Sequence, residues 1–292
     1  MWEKLAGHRN KIIIILAALV VLDFLVFLQI GRAGTEKNDL KIYFLSVGQG
    51  DSELVELPGG VRILIDGGPP NGRVLEELAK VMPVGNRYID LVMMSHPQLD
   101  HFGGLVEVLK RYKVGAFLTN GREGEISAFA DLKRVLDGNS IKTVSLSAGD
   151  VIRHGESRFD VLSPSLALIA SKELNDTSIV AELSSKDSKI LFTGDINADV
   201  EEKIAASVGN LDILKVAHHG SKFSSSANFL AAISPAVAVI EVGKNSYGHP
   251  TKEALERIGG AGARIFRTDL DGTVKFLIGD GNIRIFKSGG VK

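Results

Sequence analysis

Residues 95–104 read SHPQLDHFGG. Two imidazoles, His96 and His101, and one carboxylate, Asp100, fall within six residues, with Gln98 between them. Histidine offers a neutral nitrogen donor and aspartate a hard oxygen, a mixture that Zn²⁺ and Mn²⁺ accept. At this spacing alternate residues point to one side, and the Asp-His pair is left to serve a second centre. The bland alternative is a polar helix cap, because GGLVEVLKRY follows with helical spacing. Residues elsewhere weigh against it. Asp66 ends the strand-like VRILID, Asp195 ends KILFTGD, His218 and His219 end LDILKVAHH, and His249 sits in the loop after AVAVIEVG. One carboxylate before a helix is an N-cap. Four further strands that end in an acid or an imidazole, all at loops, describe a site.

Short apolar or alternating runs bounded by Gly, Pro or Asn must hold these residues. LKIYFLSV, SELVEL, VRILIDGG, IDLVMMSH and VGAFLTN read as strands, as do KTVSLSAG, SRFDVLS, TSIVAELSS, SKILFTGD, LDILKVAHHG, AVAVIEVG, ARIFRTD, GTVKFLIGD and NIRIFKSG. Helical spacing marks GRVLEELAKVM, GGLVEVLKRY, ADVEEKIAAS, SANFLAAIS and TKEALERIGG. Successive hairpins followed by alternating helix and strand predict a mixed-sheet sandwich with outer helices. No linker interrupts residues 40–288, which are read as one domain.

The chain has 292 residues, 34 Lys+Arg against 35 Asp+Glu, and no cysteine. Disulfides and thiolate metal sites are excluded. A balanced charge is no general advertisement for nucleic acid, although a local basic rim is compatible with it. Residues 12–30, IIIILAALVVLDFLVFLQI, have the length of a membrane-crossing helix, broken by one charge, Asp23. A mid-helix Asp costs roughly 2.5–3.5 kcal/mol, which a run this apolar absorbs. Lys4, Arg9 and Lys11 precede it and predict a cytoplasmic N-terminus. IGRAG is a poor cleavage site. The expected organisation is a short cytoplasmic segment (1–11), a single-pass transmembrane anchor (12–30), a polar linker (31–39) and an extracytoplasmic domain (40–288) at the cell membrane.

SVGQGDS (46–52), LIDGG (64–68), SHPQLDHFGG (95–104), NDTSIV (175–180), LFTGD (191–195), LKVAHHGS (214–221) and YGHP (247–250) occur in an order that resembles the metallo-β-lactamase superfamily. Within it the chain resembles the soluble hydrolase domain of ComEC-type competence proteins, the DNA-uptake channels. The resemblance implies an α/β fold, a four-layer αββα sandwich, with one or two divalent metal ions at one sheet edge. His96 would bind the first metal, Asp100 and His101 the second, and Asp195 would bridge them. One histidine of HHGS would complete the second site, with His218 favoured and His219 turned toward substrate. Asp66 would hold a ligand histidine by hydrogen bond. Asn175 and Asp176 stand where the superfamily usually has a histidine, and Asp176 is a candidate oxygen ligand. Gln98 departs from the His or Asp of relatives. An amide oxygen is a weaker donor, so the first site is expected to bind loosely, to prefer Mn²⁺ over Zn²⁺, or to stay empty while the second fills.

A hydrolase built this way cleaves phosphodiesters, and DNA is the favoured substrate by analogy with the subgroup. His219, His249 and Asp100 are the candidate catalytic groups; Ser221, Lys222, Lys244 and Lys252 flank the loops as candidate phosphate contacts. Competing expectations are hydrolysis of a cell-wall phosphoester, an ester or a lactam, and a metal-depleted DNA-binding module. Channel function cannot be carried over to a chain with one apolar span, so a separate membrane channel protein is the expected partner.

Overall fold

The computed structural model describes residues 21–23, 38–279 and 281–289. The apolar runs form strands β1 (Leu40–Phe44), β2 (Glu53–Glu56), β3 (Arg62–Ile65), β4 (Tyr88–Met93), β5 (Lys113–Thr119), β6 (Lys142–Ser145), β7 (Val151–His154), β8 (Ser157–Ser163), β9 (Val180–Ser185), β10 (Ser188–Phe192), β11 (Ile213–Lys215), β12 (Val237–Ile240), β13 (Arg264–Arg267), β14 (Val274–Gly279) and β15 (Asn282–Lys287). The helices are α1 (Arg73–Val81), α2 (Leu99–Phe102), α3 (Leu105–Arg111), α4 (Ser127–Gly138), α5 (Leu166–Ile169), α6 (Ala198–Ala205), α7 (Ala227–Ile233), α8 (Lys252–Gly260) and α9 (Thr268–Asp271).

Two sheets result, ordered β15-β14-β1-β2-β3-β4-β5-β6 and β13-β12-β11-β10-β9-β8-β7. Each is antiparallel in one half and parallel in the other: β3 to β6 run parallel in the first, β10 to β13 in the second. Parallel neighbours need crossovers, most often helical, and these supply the outer layers. The alternation along β1 shows the layering. Ile42 and Phe44 face the core between the sheets, whereas Tyr43 and Leu45 join the core under the helices. Phe44 packs edge-on to Phe276 at 5.7 Å and stacks on Phe192 of the opposite sheet at 6.3 Å between ring centroids. Val74, Leu78, Leu105, Leu109 and Leu132 seal α1, α3 and α4 onto the first sheet; Val200, Ile204, Phe229, Leu230 and Ile258 seal α6, α7 and α8 onto the second. The expected four-layer αββα arrangement is the one observed.

The short helices α5 and α9, helix α4 and strand β7 fall outside the expectations. Helix α4 has no side-chain cap, no acid in its first turn and no base in its last, although Phe129, Leu132 and Leu136 bury one face. Strand β7 is largely exposed, so it shows no alternation to read. Leu40 onward forms one compact unit. The apolar span 12–30 lies outside the described residues except for 21–23, which are helical. Among the described residues no helix is long and apolar enough to cross a membrane.

Candidate metal centre

The parallel strands β3, β4, β10, β11 and β12 deliver their carboxyl ends to one rim, the place where open α/β sheets bind ligands. Asp66 follows β3 with φ 53°, a left-handed conformation that aspartate tolerates better than most residues. Its carboxylate accepts the Ser95 N–H at 2.8 Å, the Ser95 hydroxyl at 2.5 Å and Nδ1–H of His101 at 2.8 Å. The Ser95 proton is therefore committed to Asp66. His96 Nδ1, 3.0 Å from Ser95 Oγ, must then be the donor in that contact. His219 Nδ1 lies 2.9 Å from the carbonyl of Glu241, which can only accept. All three imidazoles are thus pinned through Nδ1–H and present Nε2, the arrangement that fixes a ligating tautomer.

Those Nε2 atoms face a common space. Asp195 Oδ2 is 3.2 Å from His101 Nε2 and 3.4 Å from His219 Nε2, and Asp100 Oδ2 is 3.4 Å from His219 Nε2. His96, His101 and Asp195 offer ligand atoms within 4.8 Å of one another, and so do Asp100, His101 and His219. Nε2 of His96, His101 and His219 and Oδ1 of Asp195 are buried without a hydrogen-bond partner. Buried polar atoms are rarely left unpaired. Three imidazole nitrogens at one point beside the Asp195 carboxylate fit a divalent cation, and His101 belongs to both groups.

Electrostatics agree. Burial alone would lower the pKa of His219, but Asp195 and Asp51 override it and hold it up at about 10. His101 is likewise raised, against burial, by Asp195, Asp51 and Asp66. Burial works to raise Asp195, yet His219 and His101 keep it well below the usual carboxylate range. Asp100 is held at about 2 against its burial, by the adjacent His219 and the charge of His101. His96, by contrast, is buried and neutral, with its pKa lowered to about 4. Without metal, the carboxylates are balanced by protons on Nε2, the atoms a metal would take.

Sequence reasoning did not single out the next layer. Asp51, from SVGQGDS, is buried, forms an ion pair with Lys215, and places Oδ1 3.2 Å from His219 Nδ1. Lys215 is fully buried on β11; its ammonium also donates to the carbonyl of Gly194 at 3.0 Å and lies 3.8 Å from Asp195 Oδ1. Glu53 and Glu241 lie behind Asp51, both buried. Burial and the nearby Asp51 charge raise Glu53 to about 8; burial and Glu53 raise Glu241 well above the carboxylate range. A lysine or glutamate inside a strand that otherwise reads apolar was the available signal. Gly50 lets this segment approach the metal loop: a Cβ there would lie 2.1 Å from the carbonyl of Asp100.

The two histidines of HHGS exchange their expected places. His218 and His219 both adopt left-handed conformations, φ 50° and 53°. This turn buries His219 inside the cluster and leaves His218 at its mouth, 4.0 Å from Asp195, against Asn175 and the ring of His249. Asp176 does not reach the cluster, because Asn197 Nδ2 donates to it at 2.6 Å and Ser171 Oγ at 3.3 Å. Gln98 lines a 410 Å³ cleft with Asp100, Asn175, His218, His219 and His249. Ser221 is buried and its hydroxyl accepts the Phe223 N–H, so it is part of the loop's frame. Lys222 borders the mouth; Lys244 is exposed and lines none of the described clefts around the site.

A two-sheet sandwich with histidines and aspartates converging at this rim has the architecture of a metal-dependent hydrolase. Residues 45–243 match the Metallo-beta-lactamase superfamily, and the chain belongs to it. Two curated relatives are the ComE operon protein 3 of Bacillus subtilis (strain 168), 30% identical over 81% of this chain and 33% of its own length, and the competence protein ComA of Neisseria gonorrhoeae, 29% identical over 85% and 34%. The resemblance to ComEC-type competence proteins therefore holds, and the chain spans about a third of the length of these relatives. Among solved structures, Igni18, a metallo hydrolase of Ignicoccus hospitalis, shares the fold with a TM-score of 0.54 at 17% identity, over 81% of this chain and 98% of its own.

Proposed function

We propose that the chain is a metal-dependent phosphodiesterase acting on DNA, anchored to the membrane by residues 12–30 and working beside a membrane channel protein. One observation carries the catalytic part: the unpartnered Nε2 atoms of His96, His101 and His219 converge with Asp195 at a strand-end rim. His96, His101 and Asp195 would hold one ion, and Asp100, His101 or Asp195, and His219 a second. Bound there, a divalent ion supplies Lewis acidity, lowering the pKa of water and offsetting charge on a phosphoryl group. The protein supplies the rest. Asp66, the Glu241 carbonyl and Ser95 fix the imidazole orientations. His218 and His249 flank the mouth, and burial lowers both pKa values, so each imidazole is neutral at pH 7. A neutral imidazole there accepts a proton from attacking water or donates a hydrogen bond to a phosphoryl oxygen. DNA as substrate is supported by the competence relatives and by Lys222 at the rim.

Gln98 favours a second reading, DNA binding without cleavage, since it brings a neutral amide to the cleft in place of a carboxylate or imidazole. Purified full-length chain assayed with Mn²⁺ or Zn²⁺ on linear DNA and on bis-p-nitrophenyl phosphate separates the two. Cleavage abolished by Asp195→Ala supports the phosphodiesterase. Retention of DNA with no cleavage under either metal selects the binding module.

A further inference from the structure

Phe223 and Tyr247 are large rings left 67% and 72% exposed, and both line one 520 Å³ recess beside the metal centre. Lys222, Lys252, His218 and His249 line the same recess. Neither ring is a loose end. The Phe223 loop is braced by Arg257, which donates to the carbonyls of Lys222, Ser224 and Ser225 at 3.0, 2.8 and 2.8 Å. The Phe223 backbone is tied on both sides, its N–H to Ser221 Oγ and its carbonyl to the Ala198 N–H. Asn245 braces the other loop: its amide donates to the carbonyls of Gly243 and His249, and its oxygen accepts from the N–H groups of Tyr247 and His249. Two braced loops thus present aromatic rings to water rather than to the core.

Lysines beside exposed rings are the elements of single-stranded nucleic-acid binding, in which cations follow the backbone and rings stack on bases. Lys222 Nζ stands 5.1 Å from the Phe223 ring centroid, placing a cation beside the stacking surface. We propose that Phe223 and Tyr247 form a base-stacking subsite that takes unpaired nucleotides next to the scissile phosphodiester, making a single strand the substrate. A duplex hides its base faces and cannot use these rings. This rests on the phosphodiesterase reading above and names its substrate class.

The test measures binding of the metal-free full chain, in EDTA, to a fluorescent twelve-residue oligothymidylate, an abasic phosphodiester oligomer of the same length, and a twelve-base-pair duplex. Wild type should bind the oligothymidylate at least about tenfold tighter than the abasic oligomer. Phe223→Ala with Tyr247→Ala should bring that ratio close to one, while Phe223→Trp and Tyr247→Phe preserve it. Lys222→Ala should weaken both oligomers alike. Equal affinity of wild type for the base-bearing and abasic strands overturns the proposal. So does a base preference that survives in the double variant, a duplex bound as tightly as the single strand, or rings that capture a protein while showing no base preference. Wild-type hydrolysis of bis-p-nitrophenyl phosphate is scored separately. Its absence sinks the phosphodiesterase reading, while the stacking result is read from binding alone.

Discussion

The ammonium of Lys215 is buried in an ion pair with Asp51, the carboxylate that also lies 3.2 Å from Nδ1 of His219. Burial would lower the lysine's pKa, but Asp51 and Asp195 raise it, so the charge is permanent at any working pH. Asp51 is held low in turn, against burial, chiefly by Lys215. Lys215→Met keeps the volume and removes the cation, leaving a buried carboxylate uncompensated, a change that costs about 3–5 kcal/mol. Urea unfolding should show a loss of this size at pH 7. Released from its partner, Asp51 should also draw His219 out of place, so metal content by elemental analysis should fall. Unchanged stability and unchanged metal would refute this role.

Proton and metal compete for the same atoms. His219 has its pKa raised to about 10 and His101 is raised as well, so the metal-free protein binds more protons than its unfolded chain between about pH 6.5 and 10. The stabilisation from these imidazoliums is complete below the ordinary histidine pKa and is lost as pH rises through the folded value. Thermal unfolding of EDTA-treated protein should therefore decline from pH 7 to pH 10. Metal-loaded protein, with ions in place of those protons, should show a flatter profile. Titration calorimetry at pH 7 in buffers of differing ionisation enthalpy should also detect protons released on binding. A metal-free protein whose stability rises over that range would overturn the assignment.

Glu53 and Glu241 add a penalty of the same direction. Both carboxyls are raised by burial, Glu53 further by the Asp51 charge and Glu241 further by Glu53. A raised carboxyl costs stability as pH climbs from its unfolded value through its folded value, here between about 4.5 and 8 for Glu53. Glu241→Gln removes one titrating partner while keeping an oxygen for the Ser52 N–H now bonded to Glu241 at 3.1 Å. The variant should lie close to wild type at pH 5 and be the more stable of the two at pH 9, by denaturant midpoint.

How far the sequence reveals this molecule depends on the range of the interaction that fixes each part. Alternation is local, so β1 to β5, and the helices α1 and α3, are visible in runs such as LKIYFLSV and GRVLEELAKVM. Strand-end acids and imidazoles at 66, 96, 100, 101, 195 and 219 declare themselves by chemistry, and the fold brings them together. The side of the turn that each histidine of HHGS occupies is not local. It depends on two successive left-handed residues and on the Glu241 carbonyl, 22 residues onward, which captures His219. Asp176 fails as a cluster member for a similar reason: its partner, Asn197, is 21 residues away and caps α6. Asp51 and Lys215 are 164 residues apart, and only the folded sandwich puts one against the other.

Gln98 is the one residue of the opening motif whose donor strength can be changed without disturbing a frame. It is the N-cap of α2, yet its side chain makes no capping hydrogen bond, and it faces the cleft shared by Asp100 and His219. Replacing it therefore removes no bond that holds α2. A carboxylate in its place adds a charged oxygen donor to the cleft that Asp100 and His219 line. Gln98→Asp should raise the number of metal ions retained per chain after gel filtration without added metal. It should also shift the midpoint of metal-dependent stabilisation to lower metal concentration, roughly tenfold for each 1.4 kcal/mol gained. Gln98→Ala should leave occupancy near wild type if the amide contributes little. Metal content that is equal in Gln98→Asp and wild type would show that position 98 does not address the ion.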